Sequence, residues 1–133
     1  MKYYLLSYVD EKAGAAVPKD EMDAWIRKIK AWTDAMQESG VLVRAQGLHP
    51  TSAAATVRVR NEKMITTHGP FAETKEQLGG FYLIDCKNLD EAIEWAAQAP
   101  GARFGSIEVR PVWEMDLPAA IEAARERGML QTQ

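Results

Sequence analysis

Residues 66–81 read TTHGPFAETKEQLGGF, which brings His68, Glu73, Lys75 and Glu76 close together just ahead of an apolar run. An imidazole with an ordinary pKa of about 6.5 suits proton transfer near neutrality, and a carboxylate beside it can take or return the proton. An ammonium in the same place can hold an anion or a developing enolate. Spacing allows two pairings: a helical turn over 72–77 puts Glu73 and Glu76 on one side, whereas extended chain pairs Glu73 with Lys75. On this reading His68, Glu73 and Glu76 are the catalytic candidates and Lys75 is a ligand-binding one. A structural reading of the same stretch is also available. Gly69 and Pro70 make a turn, Phe71 plugs into the core, the charged side chains stay in water, and Gly79–Gly80 marks a bulge or a close backbone contact.

Other reactive side chains are fewer. Arg44, Arg58 and Arg110 fall inside strand-like segments, where a guanidinium can grip a carboxylate through two parallel bonds. Arg58 and Arg110 are taken as ligand-binding candidates, with cross-strand ion pairs to Glu62, Glu108 or Glu114 as the competing account. His49 and His68 are the two histidines of the chain. They show no short ligand spacing toward each other or toward a cysteine pair, so neither a metal nor a cofactor is expected. Cys86, the single cysteine, closes an apolar run with no base near it in sequence and reads as buried and inert. It allows no intrachain disulfide and fits a reducing compartment. Trp25, Trp32 and Trp113, with Trp95 at a margin, read as core.

These side chains must be held by something, and the hydrophobic pattern says what. KYYLLSYV, 2–9, is apolar almost throughout, as befits a central strand covered on both faces. Asp20 can cap a helix whose Met22, Trp25, Ile26, Ile29, Trp32 and Met36 recur at steps of three and four until Gly40. VLVRAQGLHP, 41–50, is a second strand. Residues 54–69 form a hairpin about Asn61 and Glu62, with one polar face. GGFYLIDC is a further strand, followed by a helix in which Asn88 and Glu91 have capping-box spacing and Leu89, Ala92, Ile93 and Ala96 make the buried stripe. Residues 105–115 are the last strand, where Pro111 removes a ladder donor and argues for an edge. A short amphipathic helix, Leu117 to about Arg127, ends the chain.

Strand, helix, strand, hairpin, strand, helix, strand is the order of a split βαβ, ferredoxin-like α+β sandwich, here with an inserted β-hairpin and an extra C-terminal helix. Two helices cover only one face of such a sheet. The strands carry apolar or aromatic residues on both faces, Tyr3 and Leu5 against Tyr4, Leu6 and Tyr8 in one and Phe81 and Leu83 against Tyr82 and Ile84 in another, so a second copy of the chain is the expected cover of the remaining face and a homodimer the expected state. A net charge of −3 over 133 residues, with no basic stripe, excludes direct nucleic-acid binding. No run reaches the roughly 18 apolar residues of a membrane span, and MKYYLLSYVDEK lacks the pattern of a cleavable leader. A cytoplasmic protein is expected.

GPFAETKEQLGGFYLID, followed by NLDEAIEWAAQAP and GSIEVRPVWEM, resembles the YCII-related family, and within it the branch named for a DGPF motif. MKYYLLSYVDE and GLHP…TVRVR fit as well, so the likeness spans 1–115 and leaves 116–133 as a helical extension of the same domain. The resemblance implies a ferredoxin-like fold in a dimeric α/β-barrel arrangement. Where the motif has aspartate this chain has His68. The YCII branch carries a His–Asp pair with its histidine around the first helix; residues 18–40 contain none, and the pair is not transferred. Two functions remain open. One is a small enzyme using acid–base chemistry on a small polar or aromatic acid. The other is a non-catalytic ligand-sensing or partner-binding dimer, which the family's frequent gene neighbourhood with alternative sigma factors would link to transcription.

Overall fold

The computed structural model describes residues 1–129; the last four residues of the expected C-terminal extension, 130–133, lie outside the described residues. Four strands make one antiparallel sheet in the order β2 (Leu42–Gly47), β5 (Gln77–Asp85), β1 (Lys2–Val9), β6 (Ser106–Pro111). β1 is central, as its unbroken apolar run predicts. Pro111 closes β6 on an edge, where a missing N–H costs no ladder bond. This is the ferredoxin-like strand order, and the class is α+β.

Helix α2 (Lys19–Glu38) and helix α3 (Leu89–Ala97) lie on one face of the sheet. Tyr3 and Leu5 of β1, Ile84 of β5, Trp32 and Met36 of α2, and Ala92 and Ala96 of α3 form the core between them. Trp32 stacks edge-on against Tyr82 at 4.7 Å between ring centroids, and its indole donates to the Trp95 carbonyl at 3.0 Å. The Asn88 side chain caps α3 by accepting from the Glu91 amide at 3.0 Å, and the Glu91 carboxylate reaches back to the Lys87 amide at 2.7 Å. The box therefore closes one residue earlier than its usual form. Cys86 is buried past the end of β5, where loss of water pushes its thiol pKa up.

Several expectations change. Helix α2 begins at Lys19 after Pro18, so Asp20 lies within its first turn and does not cap it. A short helix α1 (Glu11–Ala15), capped by Asp10, occupies part of what reads as a connector; five residues are too few to show a period. Its Glu11 carboxylate accepts from the Thr51 amide and hydroxyl at 2.9 and 2.7 Å, tying α1 to the turn after β2. The α3 stripe turns so that Ala92 and Ala96 are buried while Leu89 and Ile93 face water, because small residues let the helix approach the sheet closely. Phe71 does not plug into the core: it is 78% exposed. Trp113 lies beyond the end of β6, so no strand directs it inward, and it too is 78% exposed.

The hairpin, β3 (Ala55–Arg60) and β4 (Lys63–His68), forms a separate two-stranded sheet. Asn61 and Glu62 both have positive φ, 52° and 64°, the primed turn that matches the twist of paired strands. Val57, Val59 and Met64 are exposed on one side of this ribbon and Ile65 on the other. Helix α4 (Leu117–Glu126), capped by Asp116, follows the last strand.

Candidate functional site

The uncovered face of the four-stranded sheet is where the polar and aromatic side chains converge. Alternation along β1 turns Tyr3 and Leu5 to the helices and Tyr4, Leu6 and Tyr8 the other way. Pairing register then fixes their neighbours. Leu6 lies between Phe81 and Glu108, Tyr4 between Leu83 and Arg110, and Tyr8 between Leu78 and Ser106. Arg44 and Gln46 of β2 border Leu83 and Phe81 on the far side. The centre of this face is half-buried: Tyr4 and Phe81 meet edge to face at 5.9 Å.

Along the β6 border runs a chain of hydrogen bonds. Arg110 Nη2 donates to Glu108 Oε2 at 2.7 Å, and Tyr8 Oη donates to Glu108 Oε1 at 3.3 Å. Residues two apart on a strand share a face, which is why Glu108 and Arg110 meet. The Arg110 hydrogen bond, more than its charge, holds the Glu108 carboxyl below the usual carboxylate range. Glu108 is therefore a carboxylate at neutral pH. Burial, then the charge of Glu108 and the bond to it, push the Tyr8 phenol pKa up, so Tyr8 stays protonated and donates. One bond occupies one of the five N–H groups of Arg110; its side chain is 65% exposed, leaving the others free to meet an anion.

A second carboxylate stands at the end of the same face. Ser106 Oγ donates to Glu76 Oε1 at 2.8 Å, and Ser106 pairs with Tyr8. The loop that delivers Glu76 is irregular over 69–76, neither the helical turn nor the extended chain that spacing alone allows. It is pinned by Thr74 Oγ1 donating to the Glu76 carbonyl and by the Gln77 side-chain Nε2 donating to the Thr74 carbonyl. At its far end Gly79 is the bulged residue between Ser7 and Tyr8, and a Cβ on Gly80 would stand 3.1 Å from the Gln46 carbonyl oxygen. The glycine step thus serves bulge and close approach together.

Of the residues singled out in sequence, the structure brings Arg110 and Glu76 to this face and sets Arg44 on its β2 border. Glu73 and Lys75 are exposed in the loop leading to it. His68 pairs with Ala55 at the end of the ribbon and shares a side with Val57 and Val59. Arg58 points to the other side of the ribbon and donates to the Phe71 carbonyl at 3.4 Å. Glu108 pairs with Arg110 along a strand rather than across strands. Tyr8, Glu108 and Ser106 are additional: the only local signal was two polar residues at alternate positions in β6, and Tyr8 joins them through pairing about a hundred residues away, the separation being 100. Among the described residues no three of His, Cys, Asp and Glu gather as metal ligands. No described helix is long and apolar enough to cross a membrane.

Comparison with known proteins agrees with this fold and its likeness. The family model for the YCII-related domain matches residues 1–116. An uncharacterised protein of Rhizobium meliloti (strain 1021) is 46% identical over 114 residues, covering 84% of this chain and 92% of its own length.

Proposed function

The chain belongs to the YCII-related family, and on that premise we propose that the open face of its sheet binds a small polar or aromatic carboxylic acid and carries acid–base chemistry on it. A second copy of the chain closes this face. The observation that supports the reading is the Tyr8–Glu108–Arg110 chain beside half-buried aromatic rings. Arg110 holds the ligand carboxylate through N–H groups that Glu108 leaves free. Glu108, ionised and fixed by two donors, takes a proton from the carbon or oxygen next to that carboxylate, and Tyr8 orients it. Tyr4 and Phe81 offer ring surface to an aromatic ligand. Glu76, held by Ser106, is the second carboxylate through which a proton can return. Glu73 and Lys75 supply rim charge in the same loop, while His68 and Arg58 take no step.

The test is thermal unfolding against a series of benzoate, salicylate and short aliphatic carboxylates. A ligand at 100 times its Kd raises stability by about 2.7 kcal/mol, a shift that is easily read. We expect a saturable rise for at least one aromatic acid, reduced tenfold or more in affinity by Arg110→Gln. Glu108→Gln is expected to keep binding and lose turnover. A flat response to every acid, or an Arg110→Gln variant that binds as the wild type does, ends the proposal.

A non-catalytic reading has its own support in the β3–β4 ribbon and α4, which hold Val57, Val59, Met64 and Leu117 in water. On that reading they dock a partner, and the protein acts as a ligand-responsive module. Deleting residues 117–133 separates the two: loss of a partner with carboxylate binding intact favours the module.

A further inference from the structure

The helix-covered side of the sheet holds a second opening, independent of the acid–base chain. Between β1, β5 and α2 lies a cavity of about 80 Å³ whose lining includes Ser7, Trp25, Tyr82 and the glycines Gly79, Gly80 and Gly101. Every charged side-chain type is missing from its described lining. A charged guest would pay its full desolvation there with no counter-ion to meet it, so the guest is neutral. The glycines make the room. A Cβ on Gly101 would stand 3.3 Å from Ser7 Oγ and 3.6 Å from Ile107 Cδ1, and one on Gly79 would stand 3.4 Å from Val9 Cγ2.

The polar groups around this cavity want an acceptor. Trp25 Nε1 is cut off from solvent and, among the described residues, donates to nothing. Its neighbour on the helix, Trp32, differs in donating to a carbonyl. Native folds rarely keep a buried donor unless a ligand, water or ion answers it. Burial alone raises the Tyr82 phenol pKa, with no hydrogen bond contributing. Ser7 adds a hydroxyl.

Size narrows the guest further. A closed apolar cavity of roughly 150 Å³ takes benzene; this one has about half that room. It admits a head of a few heavy atoms and no whole ring. Val9 and Trp25, however, also line an adjoining open groove of about 580 Å³, walled by Val17, Met22 and Phe104 between α1 and α2. Asp10, Glu11 and Glu21 line this groove against a single lysine, Lys28, which disfavours an anion a second time.

We propose that this cavity and groove form a binding site for an uncharged, carbonyl-bearing apolar molecule. Its carbonyl head enters beneath Trp25 and accepts from the indole N–H, with the Ser7 and Tyr82 hydroxyls as further donors. Its apolar body lies along the groove toward Phe104. The site recognises the opposite chemistry to the open face: no charge, one acceptor, and a hydrocarbon remainder.

Acetophenone is the probe, because its acetyl head suits the cavity and its ring the groove. The ¹⁵N-labelled full chain shows one indole N–H signal from each of its four tryptophans. Addition of acetophenone is expected to shift the Trp25 signal saturably and leave that of Trp113 in place. Benzoate, of similar shape and charged, is expected to leave Trp25 unmoved. Gly101→Ala should weaken acetophenone at least tenfold with the Trp32 signal unchanged. Should that variant fail to fold, Trp25→Phe read by the indole N–H signal of Trp32 gives the same comparison, again with at least a tenfold loss expected. The proposal is overturned if Trp25 shows no saturable shift up to the solubility of acetophenone, if benzoate shifts it equally, or if the folded variants bind as the wild type does. The first of those outcomes assigns the cavity to water, the second removes its preference for a neutral guest, and the third places the binding elsewhere.

Discussion

The two faces of the four-stranded sheet carry similar residue types and reach different states. β1 sends Tyr3 and Leu5 to one face, where they are 2% and 0% exposed, and Tyr4 and Leu6 to the other, where both stay half-open. Hydrophobicity does not separate these pairs. What separates them is the layer above: α2 and α3 pack onto the side of Tyr3 and Leu5. The helix-covered face turns its polar groups inward, Trp32 onto the Trp95 carbonyl and Trp25 without a partner among the described residues, whereas the open face arranges them toward solvent as Tyr8, Glu108 and Arg110. A face can be apolar enough for a core and still stay half-open.

The sharpest way to break this comparison is to remove one leucine from each face. Leu5→Ala takes a fully buried side chain from a packed core and is expected to cost about 3 kcal/mol. Leu6→Ala, half-open in a dilute single subunit, is expected to cost about 1 kcal/mol or less. Urea midpoints at low protein concentration measure both. Equal losses would mean the open face is packed as tightly as the other and the contrast does not exist.

A charge on the open face tests what covers it. Phe81→Lys puts an ammonium at its centre, where a second copy would have to bury it unpaired. The expected result is a shift from dimer to single subunits in sedimentation equilibrium, with the helical circular dichroism retained. A variant as dimeric as the wild type would place the pairing surface elsewhere, with the β3–β4 ribbon as the next candidate.

The smallest effect is a dependence on pH. Because Glu108 has a lowered carboxyl pKa in the folded chain, its ion pair contributes above the ordinary value of 4.5 and is lost as pH falls through the lower folded value. The stability difference between wild type and Glu108→Gln should therefore be present near neutrality and vanish in acid. Salt should shrink it too, since both side chains are largely exposed. A difference that persists in strong acid would assign the loss to packing of the glutamate stem.

Much of this architecture could be read from local pattern. The unbroken run of β1, the Asn88 cap, the turn at Asn61–Glu62 and the bulge at the glycine step each depend on a few neighbouring residues. Failures came where the answer depends on distant chain. Phe71 and Trp113 are large and apolar, which predicts burial, yet both are 78% exposed. The α3 stripe was misread because Leu89 and Ile93 outweigh alanines on any hydrophobic scale, while closeness to the sheet selects Ala92 and Ala96. For the site, Arg110 and Glu76 were visible as chemistry-bearing residues. Glu108 was visible too, as an ion-pair partner for a strand arginine, but Tyr8 and Ser106 were not, because Tyr8 meets Glu108 and Ser106 meets Glu76 only through strand register, which no local spacing encodes.

The lone thiol past β5 offers a clock. Cys86 is shielded, its pKa is raised, and its backbone amide is bonded to the Met1 carbonyl at 2.9 Å, so a maleimide must wait for the first and fifth strands to part before it can react. With one sulfhydryl in the whole chain, the labelling rate counts those partings directly, and anything that grips either side of the sheet should slow it.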